Sequence, residues 1–186
     1  MSFIPDFELG LWNAWILIIP LIVFWILGVK FLFSKRMPEA TPPSEQKNKI
    51  LSFLLVIIMF VSFIYSIFMP LKFVTIWFYT GLAVYLLGLV LIAITIINFA
   101  TTPMDKPVTK GVYRYSRNPM FIGWFVLYFG IAIACISWVY IVIIMLFILI
   151  IAYLSPFEEE VTLEHYGKAY KEYMKRTPKW IGIPKK

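Results

Sequence analysis

The stretch Phe121–Leu154 runs for 34 residues without a charged side chain. As one helix it would extend about 50 Å at about 1.5 Å per residue, well beyond the roughly 30 Å of hydrocarbon in a bilayer. Basic residues stand at both of its ends: Arg114 and Arg117 before it, and seven Lys or Arg in the tail after it. Lys and Arg collect on the cytoplasmic side of membrane segments, so both ends belong on one side and the run must cross an even number of times. It reads as a tight helical hairpin turning near residues 134–138.

The other apolar runs fit the same solvent. Leu11–Phe33 contains Pro20, which predicts a kink, Ile50–Met69 is stopped by Pro70, and Val74–Ala100 follows. Each has about the 20 residues that a crossing requires. The expected fold class is therefore all-α: a polytopic membrane protein of about five transmembrane helices, the last two a hairpin. Hydrophobic residues make up 61% of the 186, only 15% are charged, and the mean hydropathy is +0.84. A soluble domain carries about 25% charged residues, so neither a soluble globule nor a disordered chain fits. Lys35, Arg36, Lys47 and Lys49 lie in the first loop, and Lys106, Lys110, Arg114 and Arg117 after the third run, while the opposite side has only Lys72. This places the N-terminus outside and the C-terminus in the cytosol. The N-terminal residues, with Asp6 and Glu8 and no Lys or Arg, lack the basic start of a secretory signal, so the first run is expected to stay in the mature protein.

The net charge of +7 does not indicate nucleic acid. Its residues stand in short blocks beside apolar runs, where topology signals and contacts with anionic membrane lipids belong. With a single cysteine, Cys135, and a single histidine, His165, neither an internal disulfide nor a Cys/His metal site is expected. The tail repeats Leu163, Tyr166, Tyr170 and Tyr173 at helical spacing, the stripe of an amphipathic cytosolic helix. Two regions follow: residues 1–100 as a three-helix membrane part, and 101–186 as a second part with a polar loop, the hairpin 121–154 and the C-terminal helix. Neither inverted repeats of the transporter kind nor a charge deep in a span is visible, Lys30 lying near a helix end.

Polar residues concentrate in 105–121, DKPVTKGVYRYSRNPMF, and 155–167, SPFEEEVTLEHYG. A closed hairpin brings the two together at one membrane face. Each also has a structural reading. Arg114 and Arg117 serve as topology anchors. Ser155-Pro156-Phe157-Glu158 reads as a capping box that starts the tail helix. Tyr113, Tyr115 and Tyr128 suit an interfacial belt, His165 a solvated helix face, and Asn98 either an interhelical hydrogen bond or a ligand contact.

The ordered set is more specific than its parts. Gly111-Val112-Tyr113, Arg117-Asn118-Pro119-Met120-Phe121, Gly123, a hairpin, Glu158-Glu159, Tyr166-Gly167, Tyr170, Tyr173 and Pro178-Lys179 follow one another. This pattern, from about Asn98 to Ile181, resembles the isoprenylcysteine carboxyl methyltransferases and the related membrane phospholipid methyltransferases. The resemblance implies S-adenosylmethionine as methyl donor, bound at the cytosolic end of the hairpin. It implies donor contacts from Asp105, Lys106, Pro107 and Val108, from Tyr113, from Asn118, Pro119, Met120 and Phe121, and from the pair Glu158 and Glu159, with Asn98 nearby. The candidate catalytic residues are Arg117, to orient an acceptor carboxylate, Asn118, and Glu158, to pair with the donor's amine. Three positions depart from the family pattern: its histidine is Asn118, the tyrosine after it is Phe121, and an acceptor-linked arginine aligns with Leu154. Asn118 still donates and accepts hydrogen bonds but does not titrate. There is no G-x-G-x-x-G after a strand, so the soluble dinucleotide-type site is absent.

The expected reaction is methyl transfer to the carboxylate of a prenylcysteine-like acceptor that enters from the bilayer. Such an acceptor is already ionised at neutral pH and needs no base. The alternatives are a phospholipid or another small lipophilic acceptor, whose ammonium would first have to lose a proton; a nicotinamide-dependent membrane reductase; and a non-enzymatic scaffold or transporter.

Overall fold

A computed structural model describes residues 7–27 and 45–185. The end of the first apolar run beyond Leu27, with Lys30, lies outside the described residues, as do Asp6, Lys35 and Arg36. Among the described residues the fold is all-helical: α1 (Trp15–Leu27), α2 (Glu45–Ile67), α3 (Ile76–Ala100), a short 3-10 helix (Gly111–Arg114), α4 (Pro119–Cys135), α5 (Trp138–Tyr166) and α6 (Lys168–Arg176).

The hairpin read from charge placement is present. α4 ends at Ile136, which takes a left-handed conformation (φ 51°), and Ser137 caps α5 by accepting a bond from Tyr140 N. Its turn falls within residues 134–138, and α1 continues through Pro20 without a break.

Two expectations about the end of the hairpin are corrected. The proposed capping box does not start a helix, because α5 continues through Pro156 to Tyr166. Pro156 has no N–H for the carbonyl of Ala152 one turn back, and the Ser155 hydroxyl donates to that oxygen instead, at 3.3 Å. Neighbouring Ser or Thr side chains commonly repair the gap left by a proline in this way. The tail stripe also does not lie on one helix. Gly167, at φ 54°, separates the end of α5 from α6, so Leu163 and Tyr166 belong to one element and Tyr170 and Tyr173 to the other.

α3 and α4 form the most extensive helix pair, and their seam is built on glycine. A Cβ on Gly88 would meet Leu127 N at 2.5 Å, and one on Gly123 would meet Ile92 Cγ1 at 2.7 Å. Gly81 lies against the backbone of Ala134, and Gly130 against that of Tyr85. Spaced seven apart on each helix, these four glycines let two antiparallel backbones touch, the small-residue packing characteristic of membrane helices.

One end of the bundle is tied together by backbone bonds. Ala14 N donates to Met69 O (2.9 Å), Leu71 N to Trp12 O (3.2 Å) and Lys72 N to Ala134 O (3.3 Å), and the Asn13 amide donates to Glu8 O and Ile67 O. The end of α3, the start of α4 and the far end of α5 lie at the opposite pole.

α3 and α5 are long and apolar enough to cross a membrane, yet only 28% and 33% of their apolar windows are buried. Core helices of a soluble protein would be mostly buried. Here Phe60, Leu87, Ile97 and Leu149 are each about three-fifths exposed, an apolar surface far too large for water. The chain is a membrane protein.

Candidate active site

Residues 101–118 join α3 to α4. Lys110 Nζ donates to Thr101 O at 2.8 Å and pins this loop across the end of α3. Asp105 and Lys106 are exposed, and Pro107 and Val108 half-buried. The chain turns into the 3-10 helix at Gly111, where φ is 58° and where a Cβ would collide with the Asn98 side chain. Only glycine meets both demands. Asn98 Nδ2 is buried there without a hydrogen-bond partner.

Asn118 stands before the first turn of α4, with Pro119 at the helix start, a position where proline costs no backbone bond. The hairpin then returns α5 to the same pole, and the two polar clusters meet. Arg117 Nε lies 3.2 Å from Glu159 Oε1, with side chains only 11% and 10% exposed. The contact is a close charge pair rather than a linear hydrogen bond, since Nε finds no acceptor in line. Asn118 Nδ2 donates to Glu159 Oε1 (3.4 Å) and to Lys179 O (3.2 Å).

A third element closes this cluster. The chain after α6 runs back along residues 115–118: Arg117 N donates to Pro178 O (3.0 Å), Gly182 N to Tyr115 O (3.1 Å) and Ser116 Oγ to Lys179 O (3.4 Å). From α6, the Tyr173 hydroxyl donates to Tyr113 O (2.6 Å) and Ser116 O (3.3 Å). Burial pushes the Tyr173 phenol far above its ordinary value, which keeps it a neutral donor. Burial, together with Glu159 and Glu158, raises Tyr170 to about 12, against a smaller lowering by Arg117.

The two adjacent glutamates differ. Glu159 is buried and held by Arg117 and Asn118. Glu158 lies a turn beyond the apolar part of α5, with surface open to solvent. Enough protein surrounds its carboxyl that desolvation, aided by the neighbouring Glu159, raises it to about 7.

Of the sequence candidates, the structure gathers Arg117, Asn118 and Glu159 into direct contact, with the Tyr113 backbone alongside. Pro119 is buried, and Met120 and Phe121 are half-buried at the start of α4. Asn98 sits behind Gly111, and Asp105 and Lys106 lie on the outer surface of the loop. Sequence reasoning did not anticipate the bonds made by the backbone of Pro178 and Lys179, or the Tyr173 hydroxyl as a clamp. Its traces were the Pro178-Lys179 and Tyr170/Tyr173 pairs, visible as pattern but without an assigned contact.

The model of one family, phospholipid methyltransferase, matches residues 74–169, slightly over half of the chain. The chain belongs to this family. The match begins just before α3 and ends in the first turn of α6, so it takes in the glycine seam, the loop, the hairpin and both glutamates. No curated protein matches the chain. Membership in this family, together with the apolar helices, identifies a membrane methyltransferase.

Proposed function

We propose that the chain transfers a methyl group from S-adenosylmethionine to a lipophilic acceptor at the cytosolic face of a membrane. In this reading the chain crosses five times, with the N-terminus outside and the C-terminus in the cytosol. The observation that carries it is the convergence at the basic pole of the loop 105–118, the start of α4 and the end of α5, all within the family's matched region, with the C-terminal segment beyond that region bonded to residues 115–118.

The residues present fit such a donor. Its amine, carboxylate, adenine and sulfonium call for an anion, amide or backbone donors, and an aromatic ring. The buried Asn98 amide without a protein partner, beside a glycine that leaves its side chain room, supplies one donor. Glu158 supplies an open carboxylate to pair with the amine, and the Tyr113 ring a face for a cation, a contact worth about 0.5–2 kcal/mol. The donor contributes an electrophilic methyl on a sulfonium. The chain's part is to hold both reactants in line and to limit water at a low-dielectric pole, with Arg117 directed by Glu159 and Asn118 fixed by Lys179 O. We assign Arg117 the orientation of an acceptor carboxylate, as in a prenylcysteine, and a route between helices from the bilayer for its apolar chain.

A second reading has one specific observation in its favour. A phospholipid ammonium must lose a proton before it can attack, and Glu158, whose carboxyl is raised toward neutrality by desolvation and by the adjacent Glu159, is the carboxylate at this pole that we would assign to accept it. Labelled donor supplied with a farnesylcysteine analogue and with phosphatidylethanolamine separates the two. Counts released by alkali identify an ester and a carboxylate acceptor. Alkali-resistant counts in the phospholipid identify the amine and overturn the carboxylate assignment.

A further inference from the structure

The segment after α6 is fixed by its backbone, through Arg117 N to Pro178 O, Gly182 N to Tyr115 O and Lys185 N to Arg176 O (2.8 Å). Thr177 at its start is buried, yet the large side chains that follow turn away from the protein: Ile181 is 75% and Ile183 88% exposed, and Trp180 is also open. Tyr115, bonded through its carbonyl to Gly182, is exposed beside them. A strap held this firmly that presents isoleucines outward is poorly suited to water. Its neighbours are basic. Lys168, Lys171, Lys175, Arg176 and Lys185 are exposed, and Glu172 is the only acid from residue 168 onward. Lys179 Nζ lies 5.9 Å from the Trp180 ring centre, joining the charged and apolar parts. The strap is bonded to residues 115–118, which lead into α4, and so lies at the membrane pole that carries the basic residues.

Apolar prongs set among lysines, on a backbone anchored next to a span, match the chemistry of an anionic lipid interface, where rings and aliphatic chains enter the headgroup layer and lysines meet phosphates. We propose that segment 177–185 with the basic face of α6 is a seat for anionic lipid: Trp180, Ile181 and Ile183 insert between headgroups while the lysines bind them. The same strap supplies the carbonyls that hold Arg117 N and Asn118 Nδ2, so membrane charge acts on the candidate active site through its own scaffold. The proposal rests on the chain being a membrane protein and not on methyl transfer.

The test uses the full chain in nanodiscs, with Cys135→Ser as background, a spin label at Ile183→Cys and a reference label at Thr109→Cys on the exposed loop. Collision rates with oxygen and with a water-soluble nickel chelate are compared in phosphatidylcholine alone and with a third of it replaced by phosphatidylglycerol. The proposal predicts that oxygen collisions exceed nickel collisions several-fold at position 183 in the anionic discs, that the ratio drops in neutral discs, and that position 109 favours nickel in both. The charge-reversed Lys171→Glu/Lys175→Glu/Lys185→Glu chain should lose the dependence on lipid charge. Nickel-favoured values at 183 in both lipids, equal ratios in both, or shielding from both reagents, as in a contact between two copies, would each overturn it. Methyl transfer is not read, so a failed acceptor assignment leaves the result interpretable.

Discussion

Glu158 and Glu159 show how one residue step along a helix separates two environments. Glu159 is enclosed by Arg117 and Asn118, so Arg117→Ala would leave a buried carboxylate unpaired, and we expect a loss of about 3 kcal/mol, at the low end for breaking a buried pair, read as a lowered midpoint of thermal unfolding in detergent. Glu158 faces outward with its carboxyl raised to about 7. Because folding raises it, the unfolded chain releases this proton first as pH climbs, so the carboxyl's contribution to stability declines between its ordinary value of 4.5 and about 7. Pairing with a donor amine requires the ionised form. Donor affinity should therefore rise with pH from about 5.5 to about 7, and in Glu158→Gln it should be flat and roughly tenfold weaker, the worth of one charge-assisted hydrogen bond. Isothermal calorimetry across that range measures both. A Gln variant that retains the wild-type pH profile would remove Glu158 from the donor site.

At the scale of elements, the parts legible in the sequence were those set by composition and charge. The hairpin followed from a 34-residue apolar run with basic residues at both ends, and its turn fell where expected. The continuation of α5 past Leu154 was not legible, because Ser155-Pro156 is both a good helix start and, once the Ser155 hydroxyl serves Ala152 O, a tolerable helix interior. Only the packing of the far pole decides between them. The α3–α4 seam was present in the sequence as Gly81, Gly88, Gly123 and Gly130, but a spacing of seven on two separate segments shows a contact only when the segments are placed side by side. Gly88→Val should cost about 3 kcal/mol through forced separation of the backbones, whereas Leu87→Ala, on the exposed face, should stay within about 0.5. Thermal unfolding of the two proteins in the same detergent tests the seam. Equal losses would deny it.

For the whole molecule, the sparse charge is the organising quantity. The clusters 105–121 and 155–167 are distant in sequence, yet the topology predicted that they share a pole, and Arg117 and Glu159 meet at 3.2 Å. The strap from the C-terminus was not legible as a contact, since backbone-to-backbone bonds such as Arg117 N to Pro178 O leave no mark on side-chain identity. The central claim is that this pole holds a methyl donor. Calorimetry of the full chain in nanodiscs with S-adenosylmethionine, and separately with reduced nicotinamide dinucleotide, tests it most directly. A donor site at this pole gives saturable binding of the methyl donor, weakened in Glu158→Gln, and no binding of the nicotinamide; binding of the nicotinamide without the methyl donor would rule such a site out.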